Sequence, residues 1–272
     1  MLKLSDFDYI LPKELIAQYP LKKRDTARLL VLNRKQSTIE HRNFKDIVDY
    51  LNKDELLVLN DTKVLPSRIT GRRLSGGKVE ILLLNNKGNL IFNALIKPSR
   101  IKCSEKIIFN GGKISGEAIA KNEIKFFAED IATVYSLGKT PLPPYIKREP
   151  EDLDAIYYQT VYARNDGSVA SPTAGLHFTE NLIAGIKSKG VNIAYITLHI
   201  SYSTFKPVKV DDVTKHKMEP EYFCITNEAR NSIEHSCALK CRIFAVGTTS
   251  LRALEAYASG IKEGYTDLFI YP

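Results

Sequence analysis

The densest polar cluster in the chain is Ser171-Pro172-Thr173-Ala174-Gly175-Leu176-His177-Phe178-Thr179, set just before a helix. Small residues and Gly175 let a ligand approach the backbone, a helix N-terminus offers unpaired N–H groups, and His177 exchanges a proton near neutral pH. The plainer reading is a tight loop with Thr179 as a helix cap and a histidine bonded to a carbonyl. A second cluster, Gly247-Thr248-Thr249-Ser250, has the form of an anion or ribose cradle with Arg252 one turn inside it. An ordinary strand-to-helix turn capped by Ser250 fits those residues equally well. Asn60-Asp61-Thr62 and His199 complete the set, each following an apolar run; the plainer reading of His199 is a hydrogen-bonded core histidine.

The elements around these clusters must place them. Phe44, Ile47, Val48 and Leu51 recur with helical spacing behind Asn43 as N-cap and Asp46 in the first turn, which predicts an amphipathic helix. Leu56-Leu57-Val58-Leu59 then reads as a strand buried on both faces, ending at Asn60-Asp61-Thr62. A helix capped by Thr179 carries Leu182, Ile183 and Ile186 and stops at Gly190. It is followed by a strand over 191–200, a strand over 242–246 and a helix with Leu251, Leu254 and Ala258 on one face. In open α/β sheets ligands bind beyond the carboxyl ends of the strands, so Asn60-Asp61-Thr62, His199 and Gly247-Thr248-Thr249 are expected to line one crevice.

Between Val64 and Ala128 the pattern changes to short strands at 78–84, 90–96, 106–109, 116–120 and 124–127, broken by glycines and asparagines, as in a small antiparallel barrel. A short helix with Ile131, Val134 and Tyr135 on one face, closed by Gly138, should follow. Pro141-Leu142-Pro143-Pro144 then reads as a strut returning the chain to the first domain. The predicted organisation is a mixed-sheet α/β domain of residues 1–63 and 129–272, interrupted by a barrel over 64–128.

Composition bounds the function. With 44% hydrophobic and 26% charged residues the 272-residue chain is an ordinary globular protein, and its net charge of +8 suits a polyanionic partner without requiring one. No apolar run approaches the ~20 residues of a membrane helix and the polar start is no signal peptide, so a cytoplasmic protein is expected. Cys103, Cys224, Cys237 and Cys241 lack the spacing of a disulfide scaffold and should be free thiols; His235, Cys237 and Cys241 make a poor zinc set, and no metal is expected. A dinucleotide fingerprint is missing, and the glycines before Lys78 do not form a phosphate loop.

Six stretches in order carry a more specific signal. They are Asp6 to Gln18, Leu59-Asn60-Asp61-Thr62-Lys63-Val64-Leu65-Pro66, Pro141 to Ile146, Tyr158 to Ala163, Pro172 to Thr179 and Val246 to Ser250, with a collinear end at Phe269-Ile270-Tyr271-Pro272. Together they resemble the S-adenosylmethionine:tRNA ribosyltransferase-isomerase family of queuosine biosynthesis. The resemblance implies transfer of the ribosyl group of S-adenosylmethionine to an aminomethyl-deazaguanine at the wobble position of tRNA. There it is isomerised to an epoxy-cyclopentane, giving epoxyqueuosine, with release of adenine and methionine. S-adenosylmethionine is then a co-substrate, no separate cofactor is needed, the partner is that tRNA, and a monomer is the favoured state.

Under that resemblance His177 is the expected base or proton shuttle and His199 its competitor. Asp61, or an aromatic face at Phe178 or Tyr162, would receive the sulfonium. Thr173, Thr179, Thr248 and Thr249 would hold ribose hydroxyls, while Arg68 and Arg252 would meet tRNA phosphate or the methionine carboxylate. The chain departs from the family pattern at Ser201 and Ser203, which replace glycines, and at Glu219, which replaces a histidine. The family pattern also runs on past Pro272, so a C-terminally truncated member is expected. An inactive remnant retaining at most tRNA binding, and an ordinary methyltransferase without its glycine-rich loop, stay open as alternatives.

Overall fold

The computed structural model describes residues 2–272. Its strands are β1 (Arg28–Asn33), β2 (Thr38–Asn43), β3 (Leu56–Asn60), β4 (Thr62–Val64), β5 (Arg68–Arg73), β6 (Lys78–Gly88), β7 (Ile91–Lys97), β8 (Glu105–Phe109), β9 (Ile114–Ala120), β10 (Glu123–Phe127), β11 (Gly138–Lys139), β12 (Asn165–Ser168), β13 (Asn192–Leu198), β14 (Glu221–Cys224), β15 (Ile243–Ala245) and β16 (Glu263–Thr266). The α-helices are α1 (Ile131–Ser136), α2 (Asp154–Tyr157), α3 (Glu180–Ser188), α4 (Asn227–Ala238) and α5 (Gly247–Ala258). None of the described helices is long and apolar enough to cross a membrane.

The chain divides into two compact units. One comprises residues 1–63, 159–166 and 171–272, the other 64–158 and 167–170. In the first, a five-stranded sheet has the order β15-β3-β13-β14-β16, with β15, β3 and β13 parallel and β14 and β16 antiparallel. Every residue of β3 is buried, as its unbroken apolar run requires. Leu57 and Leu59 pack with Leu182, Ile183 and Ile186 of α3, and with Phe44 and Phe178, while α4 and α5 lie against β3 and β13.

The predicted helix after Asn43 forms as a single 3-10 segment, Phe44–Tyr50. The Asn43 backbone N–H donates to the Asp46 carboxylate at 2.9 Å, fixing its start. The tighter winding buries Phe44 and sets Leu51, fully buried, just past its end. Helix α5 begins one residue after β15 and Val246, so Gly247-Thr248-Thr249-Ser250 is its first turn and Ser250 lies inside it rather than capping it.

In the second unit, β5, β6, β7, β10, β9 and β8 form an antiparallel barrel closed by pairing of β5 with β8. Alternation fills it: Ile69, Val79, Ile81, Leu83, Phe92, Phe109, Ile124 and Phe126 point into one core. Strand β6 runs on to Gly88, through residues the sequence reads as a turn, by shifting register twice against β7. Helix α1 closes at Leu137, and Gly138 opens β11, which pairs with β5. The proline segment also departs from expectation. Thr140 to Pro143 are buried, Arg68 donates to the Leu142 carbonyl, and this unit continues to Tyr158 rather than ending at 128. A bidentate Arg148–Asp154 pair, both oxygens at 2.7 Å, gives the later part of that segment its own fixed geometry.

Candidate active site

The parallel order β15-β3-β13 sets three carboxyl ends side by side, and the polar clusters at 60–62, 199 and 247–249 follow them directly. Asn60 and Asp61, adjacent in sequence, do different things there. The Asn60 amide donates to the Leu198 carbonyl at 3.0 Å and its oxygen accepts from the Leu198 and Thr62 N–H groups. Its side chain is thus spent on the backbone, welding β3 to the end of β13. The buried Asp61 carboxylate instead accepts from the Thr197 hydroxyl at 2.7 Å and the Asn165 amide at 3.1 Å. Its main-chain carbonyl accepts from the Arg164 N–H at 2.8 Å, so the 159–166 segment is tied to the same point.

His199 is the imidazole of this ensemble. Its Nδ1 lies 2.8 Å from the Thr62 hydroxyl, its ring stacks on Tyr222 at 5.6 Å, and its backbone N–H donates to the Tyr222 carbonyl. Burial lowers its pKa below 6.5, and the charges of Asp61 and Asp166 oppose that only in part. The result is an imidazole, neutral at pH 7, beside a carboxylate able to support it once protonated. Tyr222, its stacking partner, donates to Glu263 and is pushed up to about 12, chiefly by that hydrogen bond.

His177 sits differently. Its ring lies tilted against Phe44 at 5.1 Å and is hydrogen-bonded to the Arg24 backbone; burial lowers its pKa and the nearby Arg24 charge lowers it further. Arg24 itself donates to the carbonyls of Gln159 and Leu176, so it braces the loop. Thr179 caps α3 by accepting from the Leu182 N–H at 3.1 Å. The loop therefore contains both features of the plainer sequence reading, the capping threonine and the backbone-bonded histidine.

Several expected ligand groups are engaged elsewhere. Phe178 is fully buried among Phe44 and Tyr162 and presents no face to a cation. Arg68 belongs to the barrel unit and is paired with Glu80 at 2.7 Å. Arg252 donates to Glu221, whose side chain is wholly buried and whose other oxygen accepts from the Ser201 N–H at 2.8 Å and hydroxyl at 3.0 Å. A charge neutralised inside the fold has little left for a distant phosphate. Thr173 and Thr248 are exposed, and Gly175 is buried.

Ser201 has φ −85°, an ordinary extended value, and caps the short helix that follows by accepting from the Ser203 N–H. The position needs no glycine, and the serine gains a carboxylate partner. Glu219 makes an exposed pair with Lys206 and takes no part in the site.

In this unit the buried hydroxyls of Thr160, Tyr162, Ser171, Thr249 and Ser250 have no protein partner among the described residues. They gather where the 171–177 loop meets the start of α5. A Cβ built on Gly247 would lie 3.2 Å from that of Ala174, and one on Gly175 would meet the Tyr162 oxygen at 2.1 Å and Thr160 at 3.0 Å. Sequence reasoning missed Thr160, Asn165, Thr197 and Glu221. Only Thr197 carried a signal, a hydroxyl in an apolar strand two residues from His199. No group of three or more histidine, cysteine or acidic residues placed to hold a metal occurs among the described residues, and the four cysteines are free thiols.

A buried carboxylate beside a neutral histidine at the carboxyl ends of parallel strands is the arrangement in which α/β enzymes commonly place their chemistry. The chain belongs to the queuosine biosynthesis protein family, whose model matches residues 4–272. It is 52% identical over 279 residues to an S-adenosylmethionine:tRNA ribosyltransferase-isomerase of a Sulfurihydrogenibium species, covering all of this chain and 83% of that one. It is 46% identical over 285 residues to the enzyme of the same name from Staphylococcus haemolyticus, again with 100% and 83% coverage. Among solved structures, the S-adenosylmethionine tRNA ribosyltransferase of Thermotoga maritima is 31% identical, with a TM-score of 0.49 over 98% of this chain and 79% of that chain.

Proposed function

We propose that this chain is a tRNA-modifying transferase-isomerase that moves the ribosyl group of S-adenosylmethionine onto the aminomethyl-deazaguanine wobble base of tRNA, forming epoxyqueuosine and releasing adenine and methionine. It acts as a monomer in the cytoplasm, with S-adenosylmethionine as co-substrate and neither a metal nor a further cofactor. Family membership and the full-length similarity to enzymes of that name support the reaction class. The observation that carries the site assignment is His199, held by Thr62 beside Asp61 at the ends of β3 and β13.

The sulfonium acidifies the ribose carbon next to it, so the first step needs a neutral base and the departing adenine needs a proton. His199 takes that proton through its free nitrogen, Asp61 stabilises the imidazolium, and the same proton is available to the leaving purine. His177 is the second candidate, but its bond to the Arg24 backbone and the neighbouring guanidinium favour a role in holding the loop. Thr249, with Tyr162 and Thr160 beneath Gly175, offers hydroxyls for the ribose. The test is adenine release from S-adenosylmethionine in the presence of tRNA bearing the aminomethyl-deazaguanine base. Release that requires that base supports the reading; a folded chain that releases none overturns it in favour of a remnant.

A further inference from the structure

Beside the site just described lies a cavity of about 360 Å3 to which no role has been given, within the same unit. One wall is a stripe of α3, Glu180, Ile183, Ala184 and Lys187, at the spacing that puts four side chains on one helix face. The other is the 161–164 segment with Tyr195. The Arg164 guanidinium lies 4.6 Å above the Tyr195 ring, and Tyr162 meets the same ring at 5.8 Å. Arg164 and Lys187 are exposed, and neither has a carboxylate partner among the described residues.

We propose that this slot binds an unpaired RNA nucleotide flanking the reacting base, which stacks on the Arg164 guanidinium above Tyr195 while its phosphate meets Lys187. The inference rests on the functional reading above and adds the surface by which the RNA strand is held. A guanidinium held 4.6 Å above an aromatic ring keeps its outer side open to a base, and single-stranded RNA is recognised by stacking on such groups. The volume suits one nucleotide, near the lower end for ligand cavities, and excludes a duplex. Two cations against one carboxylate favour a phosphodiester over the cationic co-substrate, whose sulfonium they repel. The Arg164 N–H is bonded to the Asp61 carbonyl, so a nucleotide stacked there is in register with the catalytic end of β3.

The experiment measures binding of a fluorescein-labelled anticodon stem-loop RNA to the full chain across salt concentrations, with kcat and KM for adenine release alongside. Arg164→Ala is expected to weaken RNA binding about tenfold, the loss of one stacked base. Lys187→Ala is expected to make the salt dependence shallower by about 0.7 in log–log slope, the loss of one single-strand phosphate contact. Both should raise KM for RNA and leave kcat and S-adenosylmethionine affinity unchanged. Arg164→Lys, which keeps the charge and loses the plane, should resemble Arg164→Ala. Unchanged RNA binding in all three variants, with wild-type adenine release intact, overturns the slot and leaves the enzyme assignment standing. Loss of S-adenosylmethionine affinity instead also overturns it, by making the slot the co-substrate pocket. A wild-type chain that neither binds the stem-loop nor releases adenine overturns both readings.

Discussion

Gly175 lies so close to Tyr162 that a methyl group on its Cα would stand 2.1 Å from the phenolic oxygen. The tyrosine is itself locked between Phe178 and Tyr195, and burial, reinforced by Tyr195 and Asp61, pushes its pKa far up and keeps it a neutral hydroxyl. Neither partner can yield cheaply. Gly175→Ala should therefore cost about 2 kcal/mol of stability, in the usual range for overpacking, and displace a wall of both the hydroxyl cluster and the neighbouring slot. Urea denaturation measures the first, and S-adenosylmethionine affinity the second. A variant of wild-type stability and affinity would show that the loop relaxes freely.

The two histidines should separate kinetically. Removal of a general base typically costs 10²- to 10⁴-fold, so His199→Ala is expected to lower kcat for adenine release by about 10² or more, and His177→Ala by less than tenfold. Thr62→Val, which leaves the ring without its hydroxyl partner, should fall between them. If His177→Ala shows the larger loss, the roles assigned to the two residues are reversed.

Both imidazoles are depressed below 6.5, chiefly by burial. A base with a lowered pKa stays unprotonated to lower pH, so the acidic limb of the kcat profile should have its midpoint below 6.5. The stability effect has the same direction. Between the unfolded value and the lower folded values the unfolded chain binds more protons, so stability falls as pH drops through that window and is flat above it with respect to these groups. Denaturation midpoints from pH 7.5 down to 5 test this, and in His177→Ala the dependence should flatten.

Glu221 is wholly buried and tied to Arg252. Removing only the cation leaves an unpaired carboxylate in the fold, so Arg252→Ala should destabilise by about 3 kcal/mol. Glu221→Gln, which keeps hydrogen bonding to Ser201, should cost less. Thermal unfolding of the two variants ranks them, and an Arg252→Ala variant as stable as wild type would mean that water reaches the carboxylate.

Restoring the family glycine at 201 should not help this chain. Ser201→Gly removes a hydroxyl that donates to Glu221 at 3.0 Å, and a loss of about 1 kcal/mol is expected. A gain in stability would show that the extended backbone at 201 is strained by its side chain.

What was legible in the sequence was mostly local. The alternation in 78–84 and the apolar run at 56–59 specify strands whatever lies elsewhere, and the polar clusters at their ends follow from that. The barrel was legible in the close spacing of its short strands, but β5, the strand that closes it against β8, was not, because its pattern is broken. Gly71 stands at an inward position where a side chain would be expected, and it does so because the Phe109 ring fills that space, with an added Cβ only 2.5 Å from it. No spacing rule connects residues 71 and 109. The site shows the same division. Asn60 and Asp61 look alike as a polar pair, and only the pairing of β3 with β13 turns one into a backbone brace and the other into a buried carboxylate held by Thr197 and Asn165. Arg252 reads as an available cation until the fold delivers Glu221 to it from thirty-one positions away.

The pairing of β5 with β8 has a consequence for self-association. A strand with neighbours on both sides has no row of idle amide and carbonyl groups, so the six barrel strands offer no template for a second chain to extend. Unpaired edges of that kind remain at the outer strands β15 and β16 of the open sheet and in the β1–β2 hairpin, which exposes Leu30, Leu32 and Ile39 on its surface.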